Sequence, residues 1–331
     1  MQMLYGEVIT RAFSLMWRHK YLWLLAILGG ADVGTGGFGG NFSGLNNVGR
    51  GSNGLNGGAA IGGGQVPDVG RFLQDNAGLI AIGVALLLVL ALAWFLLSCV
   101  TTGALVRASA EHDAERPFRL GLAWQAGVET FWSILGLRLL GLLYGLVVVG
   151  VIGLLVLLGV VSAVNNQSGA LALVIAVGIL VLFVVIVVSI ALGLAFILAT
   201  RAVVLERRGA VAALGRGFGL LRTRLGRVLL VWLIQIGLGL AAGIGIAIAL
   251  IPVVLLGVGV AIIAATTRDP APAIVIGIPV GLLFLALLVV IGGMVGAYLS
   301  TYWTLAFRRL ELEAPRPVAW PPAAFPPPAA G

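Results

Sequence analysis

The chain has 331 residues, 60% of them hydrophobic and only 10% charged, with a mean hydropathy of +1.13; a soluble domain carries about a quarter charged residues, so a soluble globular fold is excluded. The formal net charge of +8 would suit a nucleic-acid partner in a soluble protein, but here the arginines flank apolar runs, which excludes nucleic acid and points to anionic lipid headgroups. The single cysteine, Cys99, sits inside an apolar run, which leaves no disulfide framework or thiolate cluster and reads as a buried, inert thiol.

In chain order, Leu4, Tyr5, Val8, Ile9, Ala12, Phe13, Met16 and Trp17 share one helical face and Glu7, Thr10, Arg11, Ser14 and Arg18 the other, the pattern of an amphipathic helix. The apolar run Tyr21 to Leu28 follows, and with that helix turned into the bilayer the two together make a first span. Gly29 and Ala31 have the spacing of a signal-peptide cleavage site, a reading that the patterned helix before them disfavours. Residues 30–77 then hold sixteen glycines and six asparagines. Such a stretch buries too little surface to offset its ordering entropy and is expected to be a flexible loop. Its GGFGG and GGG lack the Lys and Ser/Thr of a phosphate-binding loop.

Gly78 to Val106 reads as a span ending in SCVTTGALVRAS. The charged stretch Arg107 to Arg119 leads into a further amphipathic segment in which Leu120, Trp124, Val128 and Phe131 share a face. Apolar runs Phe131 to Val164 and Ala170 to Thr200 are joined by NNQSG. The basic stretch Arg201 to Gln235 follows, with Val211, Leu214, Phe218, Leu221, Leu225 and Val228 on one face and arginines opposite, which predicts a helix lying on the membrane surface. Runs Val228 to Ala265 and Ile274 to Phe307 flank the turn TTRDPAP, for six expected spans. The last four runs exceed thirty residues, whereas about twenty cross the hydrocarbon core, so they must tilt, project or break, with Pro252 and Pro279 as expected kinks. Ala314 onward is proline-rich and is expected to be a disordered tail over 314–331.

The expected architecture is an all-α polytopic bundle over residues 1–313, in three parallel repeats of amphipathic helix plus helical hairpin, about 1–106, 107–200 and 201–307. Arg11-Ala-Phe-Ser-Leu-Met matches Arg216-Gly-Phe-Gly-Leu-Leu, and Arg107-Ala108 and Arg201-Ala202 close equivalent spans. An even number of spans per unit makes the repeats parallel. Sixteen of the twenty Lys and Arg fall on one side of this arrangement, which puts both termini in the cytoplasm and the Gly/Asn-rich loop, with sequons at Asn41 and Asn166, outside. The N-terminal amphipathic helix entering a span, together with VVLERRGAVAALGRGFGLLRTR after the fourth span, resembles the membrane domain found in some glycerophosphodiester phosphodiesterases and related six-span prokaryotic proteins. That resemblance implies a prokaryotic inner-membrane protein. The catalytic domain of that family is absent, and its chemistry does not carry over.

Catalysis in a membrane needs a nucleophile with its base, or metal ligands, at one depth. Only His19 and His112 are present, each among charges. His19 reads as a surface residue, and Glu111, His112, Asp113 and Glu115 as a solvated charge run. No cofactor and no enzymatic activity are expected; the nearest approach to reactive groups would be His112 with Glu129. Arg138 is the lone charge within a span and reads as a snorkelling side chain, an anion contact, or a partner of Glu129 or Glu206. Arg216, Arg222 and Arg224 are further candidates for anionic lipid. Gln235 reads as an interhelical hydrogen bond. Gly141 with Gly145, Gly239 with Gly243, Gly277 with Gly281 and Gly292 with Gly296 are small-residue pairs for close helix packing, within the chain or in a homo-oligomer. The expected function is a non-catalytic scaffold or accessory subunit with a protein partner. The alternative is a transporter or lipid-handling protein with its anion contact at Arg138.

Overall fold

A computed structural model of the chain describes residues 5–30, 77–165, 168–267 and 270–312, and every element among them is a helix. Most of the Gly/Asn-rich stretch, the proline-rich tail and both sequons lie outside these residues. The elements are α1 (Tyr5–Arg18), α2 (Tyr21–Leu25, continuing into a π-helical turn Ala26–Gly30), α3 (Ala77–Asp113), α4 (Leu120–Val164), α5 (Ser168–Glu206), α6 (Ala210–Thr223), α7 (Leu225–Thr267) and α8 (Pro270–Leu312).

Helices α3, α4, α5, α7 and α8 are long and apolar enough to cross a membrane, which makes five candidate spans among the described residues and not the expected six. The first expected span fails because α1 stops at Arg18, where three consecutive basic residues interrupt the apolar pattern. Helix resumes for five α-helical and five π-helical residues, about 15 Å of rise against a hydrocarbon core of about 30 Å. The end of this segment packs against α3. Gly29 has φ 95°, and a Cβ there would lie 2.6 Å from that of Ser98, so only glycine fits. The Thr101 hydroxyl donates to Leu28 O at 3.3 Å, which helps satisfy backbone that has left the helix, as non-helical chain at membrane depth requires.

The five long helices have 37–45 residues, about 55–68 Å each, and they project well beyond one shared core. Buried side chains cluster at the basic end: Ser98 to His112 of α3, Leu194 to Val204 of α5 and Ala297 to Leu310 of α8. The opposite halves expose Leu86, Val149, Leu180, Leu240 and Leu282, an apolar surface suited to lipid. The segment expected as a separate amphipathic helix is the first third of the continuous α4, and α7 and α8 run on through Pro252 and Pro279.

Each amphipathic segment packs on the end of a long helix through small or slender residues four apart. Helix α1 lays Val8, Ala12 and Met16 inward and meets α8; α4 presents Ala123 and Gly127 to α3; α6 presents Ala213 and Gly217 to α5. The oily residues expected on one face divide between the bundle and the outside. Leu221 and Val228 are buried, but Val211 is 76% exposed and Phe218 and Leu225 are also exposed. The small face lets α6 approach α5 at backbone distance, which rotates the larger residues, seven apart, onto an outer ridge. Gln235 makes the expected interhelical bond, accepting from Trp303 Nε1 at 2.8 Å.

Candidate functional site

The charges at the basic end are largely consumed in holding the helix ends together. Asp113, at the end of α3, pairs with Arg11 of α1 at 2.8 Å and Arg308 of α8 at 2.6 Å. Glu111 pairs with Arg107 at 2.7 Å and Arg116 at 3.4 Å, and Glu115 with Arg11 at 3.6 Å. The expected solvated run is therefore an interhelical clamp, because α3 continues through Asp113 instead of ending in a loop. Arg216, expected to contact lipid, bridges Glu206 at 3.3 Å and Glu311 at 3.6 Å. Arg222 is exposed on α6 and Arg224 is half-buried at the α6–α7 break.

Replacing Asp113 by Ala should lower the thermal midpoint and open α1 to trypsin. The expected loss is about 1–2 kcal/mol, the value of a charge-assisted bond discounted for the one-third exposure of both arginines. Midpoint and tryptic pattern unchanged from wild type would show that the clamp does not hold α1.

His112 is buried, and His19 stacks on it with centroids 3.7 Å apart and planes 6° from parallel. The Tyr21 hydroxyl is hydrogen-bonded to His112 Nε2. Burial, with Arg18 adding to it, lowers the His19 pKa, and burial pushes the Tyr21 phenol up to about 12. His112 thus meets His19 and Tyr21, not Glu129, which Arg207 holds at 3.3 Å. Among the described residues no three of His, Cys, Asp and Glu converge to hold a metal.

Arg138 lies on the wall of a groove of about 520 Å³ between α4 and α5, lined by Phe95, Leu142, Tyr144, Ser189, Phe196 and Thr200 among others. Its guanidinium donates to Ser98 Oγ, to Ser98 O at 3.3 Å and to Thr102 Oγ1 at 2.8 Å, and lies 5.8 Å from the Phe95 ring centroid. The expected pairing with Glu129 or Glu206 is not made: Arg207 holds the first, and Arg208 and Arg216 hold the second. These three bonds use three of the five N–H donors of the guanidinium. Farther along the groove the Tyr144 and Ser189 hydroxyls are paired at 2.8 Å. Sequence reasoning missed Ser98 and Thr102 as partners, although their i,i+4 spacing in an apolar helix marks a polar stripe.

The small-residue pairs distribute unevenly. Gly145, Gly239, Gly243 and Gly281 face open space, Gly141 and Gly277 make ordinary contact with Phe196 and Val260, Gly292 is half-buried and Gly296 is buried. Close approaches are made instead by Gly29, Gly103, Gly127, Gly217 and Gly293.

A family profile matches residues 11–311, which takes in all of these helices except the outermost residues of α1 and α8. The chain belongs to the family of unknown function DUF7544. No curated protein and no solved structure matches it. The clamp, the histidine stack and the Arg138 groove all lie within the matched span, so each is part of the family's domain and not of the flanking segments.

Proposed function

We propose that this DUF7544 member is a non-catalytic, lipid-handling membrane protein whose groove between α4 and α5 holds an anionic amphiphile against Arg138. One observation carries the reading: an arginine on the wall of an apolar groove has no carboxylate partner among the described residues and keeps two N–H donors unused. Placing arginine within a span costs about 2.5–3.5 kcal/mol. Hydroxyl and carbonyl partners offset part of this but leave the charge unneutralised, and an anionic headgroup neutralises it while its chain fills the groove. The groove's volume is within the range of small-ligand sites.

The reading includes three parallel units, the first with the short α2 in place of a span. It places the basic end on the cytoplasmic side of a prokaryotic inner membrane, in keeping with the resemblance to phosphodiesterase membrane domains. The equivalent packing of α1 on α8, α4 on α3 and α6 on α5 supports the repeat, and the concentration of arginines at one end supports the orientation. A scaffold role is the second reading, favoured by the open glycine faces of α7 and α8 at Gly239, Gly243 and Gly281.

The test is mild extraction of the protein from its own membranes followed by native mass spectrometry. A bound anionic lipid is expected, reduced about tenfold or more in Arg138→Ala, the effect of losing a charge-assisted contact. A stoichiometric protein partner, with no lipid or with lipid indifferent to Arg138→Ala, would replace this reading with the scaffold.

A further inference from the structure

The polar face of α1 and the connection between α3 and α4 enclose a second cavity, an open cleft of about 900 Å³ at the basic end. Its wall carries Arg11, Arg18, Arg116 and Arg119 against only Glu7 and Glu115. Most of these charges have partners. Arg11 is held by Asp113 and Glu115, Arg116 by Glu111, and Glu7 by Arg309 at 3.6 Å. Arg18 and Arg119 have no carboxylate or hydrogen-bond acceptor among the described residues, and both are exposed. They come from elements a hundred residues apart in the chain, the end of α1 and the residue before α4, yet line one cavity. The Ser14 hydroxyl and the ring of His19 share the wall and are neutral groups able to donate beside the two cations, while the Thr10 hydroxyl donates to Gly6 O at 3.0 Å.

Two arginines with unused donors, converging on a water-accessible concavity with a neutral hydroxyl, fit a compact multivalent anion better than a single carboxylate. Arginine's planar fork engages phosphate oxygens in pairs. The stacked, exposed Phe13 and Trp17 lie on the other face of α1, where an aromatic pair suits the headgroup level of a bilayer. The cleft therefore opens beside the membrane interface.

We propose that this cleft is a phosphate-binding site in which Arg18 and Arg119 together hold the phosphate of a lipid headgroup or of a soluble phosphorylated ligand. The site is separate from the Arg138 groove, with no residue in common.

The test uses the full chain in nanodiscs of phosphatidylcholine alone, titrated with pyrophosphate, and in nanodiscs containing phosphatidylglycerol, reading the thermal midpoint at constant ionic strength. A rise in midpoint with pyrophosphate in phosphatidylcholine assigns a soluble ligand. A rise with phosphatidylglycerol only assigns a headgroup. In either case the double variant Arg18→Gln, Arg119→Gln should weaken the apparent affinity about tenfold or more, while its midpoint without ligand stays that of wild type because neither side chain is paired among the described residues. The phosphatidylglycerol comparison is made in the Arg138→Ala background, so that lipid held in the groove does not contribute, and the response of the cleft should survive there. No midpoint rise with either probe, an equal rise with sodium chloride at matched ionic strength, or a response unchanged in the double variant would overturn the proposal.

Discussion

Arg201→Ala is expected to be among the most destabilising single changes in the chain, lowering stability by about 2–5 kcal/mol. Arg201 is fully buried near the end of α5, one of the largest side chains in the core. Nη1 donates to Ile197 O of its own helix at 3.0 Å and Nη2 to Ser300 O of α8 at 3.4 Å. It therefore ties α5 to α8 at the level where Ser109 of α3 meets Thr301 of α8 at 3.1 Å. Truncation to Ala removes these two hydrogen bonds and leaves a cavity the length of the side chain between packed helices that cannot close on it without breaking their own packing. Arg201→Lys keeps most of the stem, but the donors of an ammonium radiate from one nitrogen and do not span two carbonyls as the separate Nη1 and Nη2 of the guanidinium do. The expected order of thermal midpoints, read by size-exclusion fluorescence after heating, is wild type, then Lys, then Ala. An Ala variant that melts with wild type would show that α5 and α8 are not joined through this residue.

The membrane class and the helical architecture were legible because apolar runs longer than a bilayer have few other uses. What escaped the sequence was where those runs meet each other. The missing sixth span shows this: hydrophobicity continues from α1 into Tyr21 to Leu28, and only Arg18, His19 and Lys20, three basic residues in a row, mark the break. Arg138 stood out as a lone charge, but its partners Ser98 and Thr102 are some forty residues away and became visible only when α3 lay beside α4. His112 looked solvated because its neighbours are charged. Its position one turn beyond Ala108 and Ser109, both buried, puts it on the inner face of α3 and against His19. Local patterns identify which face of a helix is small or oily, and the choice of face is settled by the neighbour, as α6 demonstrates with Val211 and Phe218 outward and Gly217 inward.

Gly127→Ala and Gly217→Ala should each cost about 1–3 kcal/mol, whereas Gly121→Ala and Gly215→Ala should be neutral or stabilising by up to about 1 kcal/mol. A Cβ at Gly127 would overlap Val100 O of α3, and one at Gly217 would overlap Ala195 O of α5. Both obstacles are backbone atoms of packed helices, so the clash cannot be relieved by a rotamer change and the whole amphipathic segment must lift away. At Gly121 and Gly215, on the same two segments, an added methyl meets nothing within 4 Å. There it only removes conformational freedom from the unfolded chain. Thermal midpoints of the four variants separate close approach from helix propensity, since propensity alone would stabilise all four. Equal losses at Gly127 and Gly217 are expected if α4 on α3 and α6 on α5 are repeats of one contact. Gly217→Ala that melts with Gly215→Ala would mean that α6 is held to the bundle by its basic face alone, and the proposed repeat would lose its structural support.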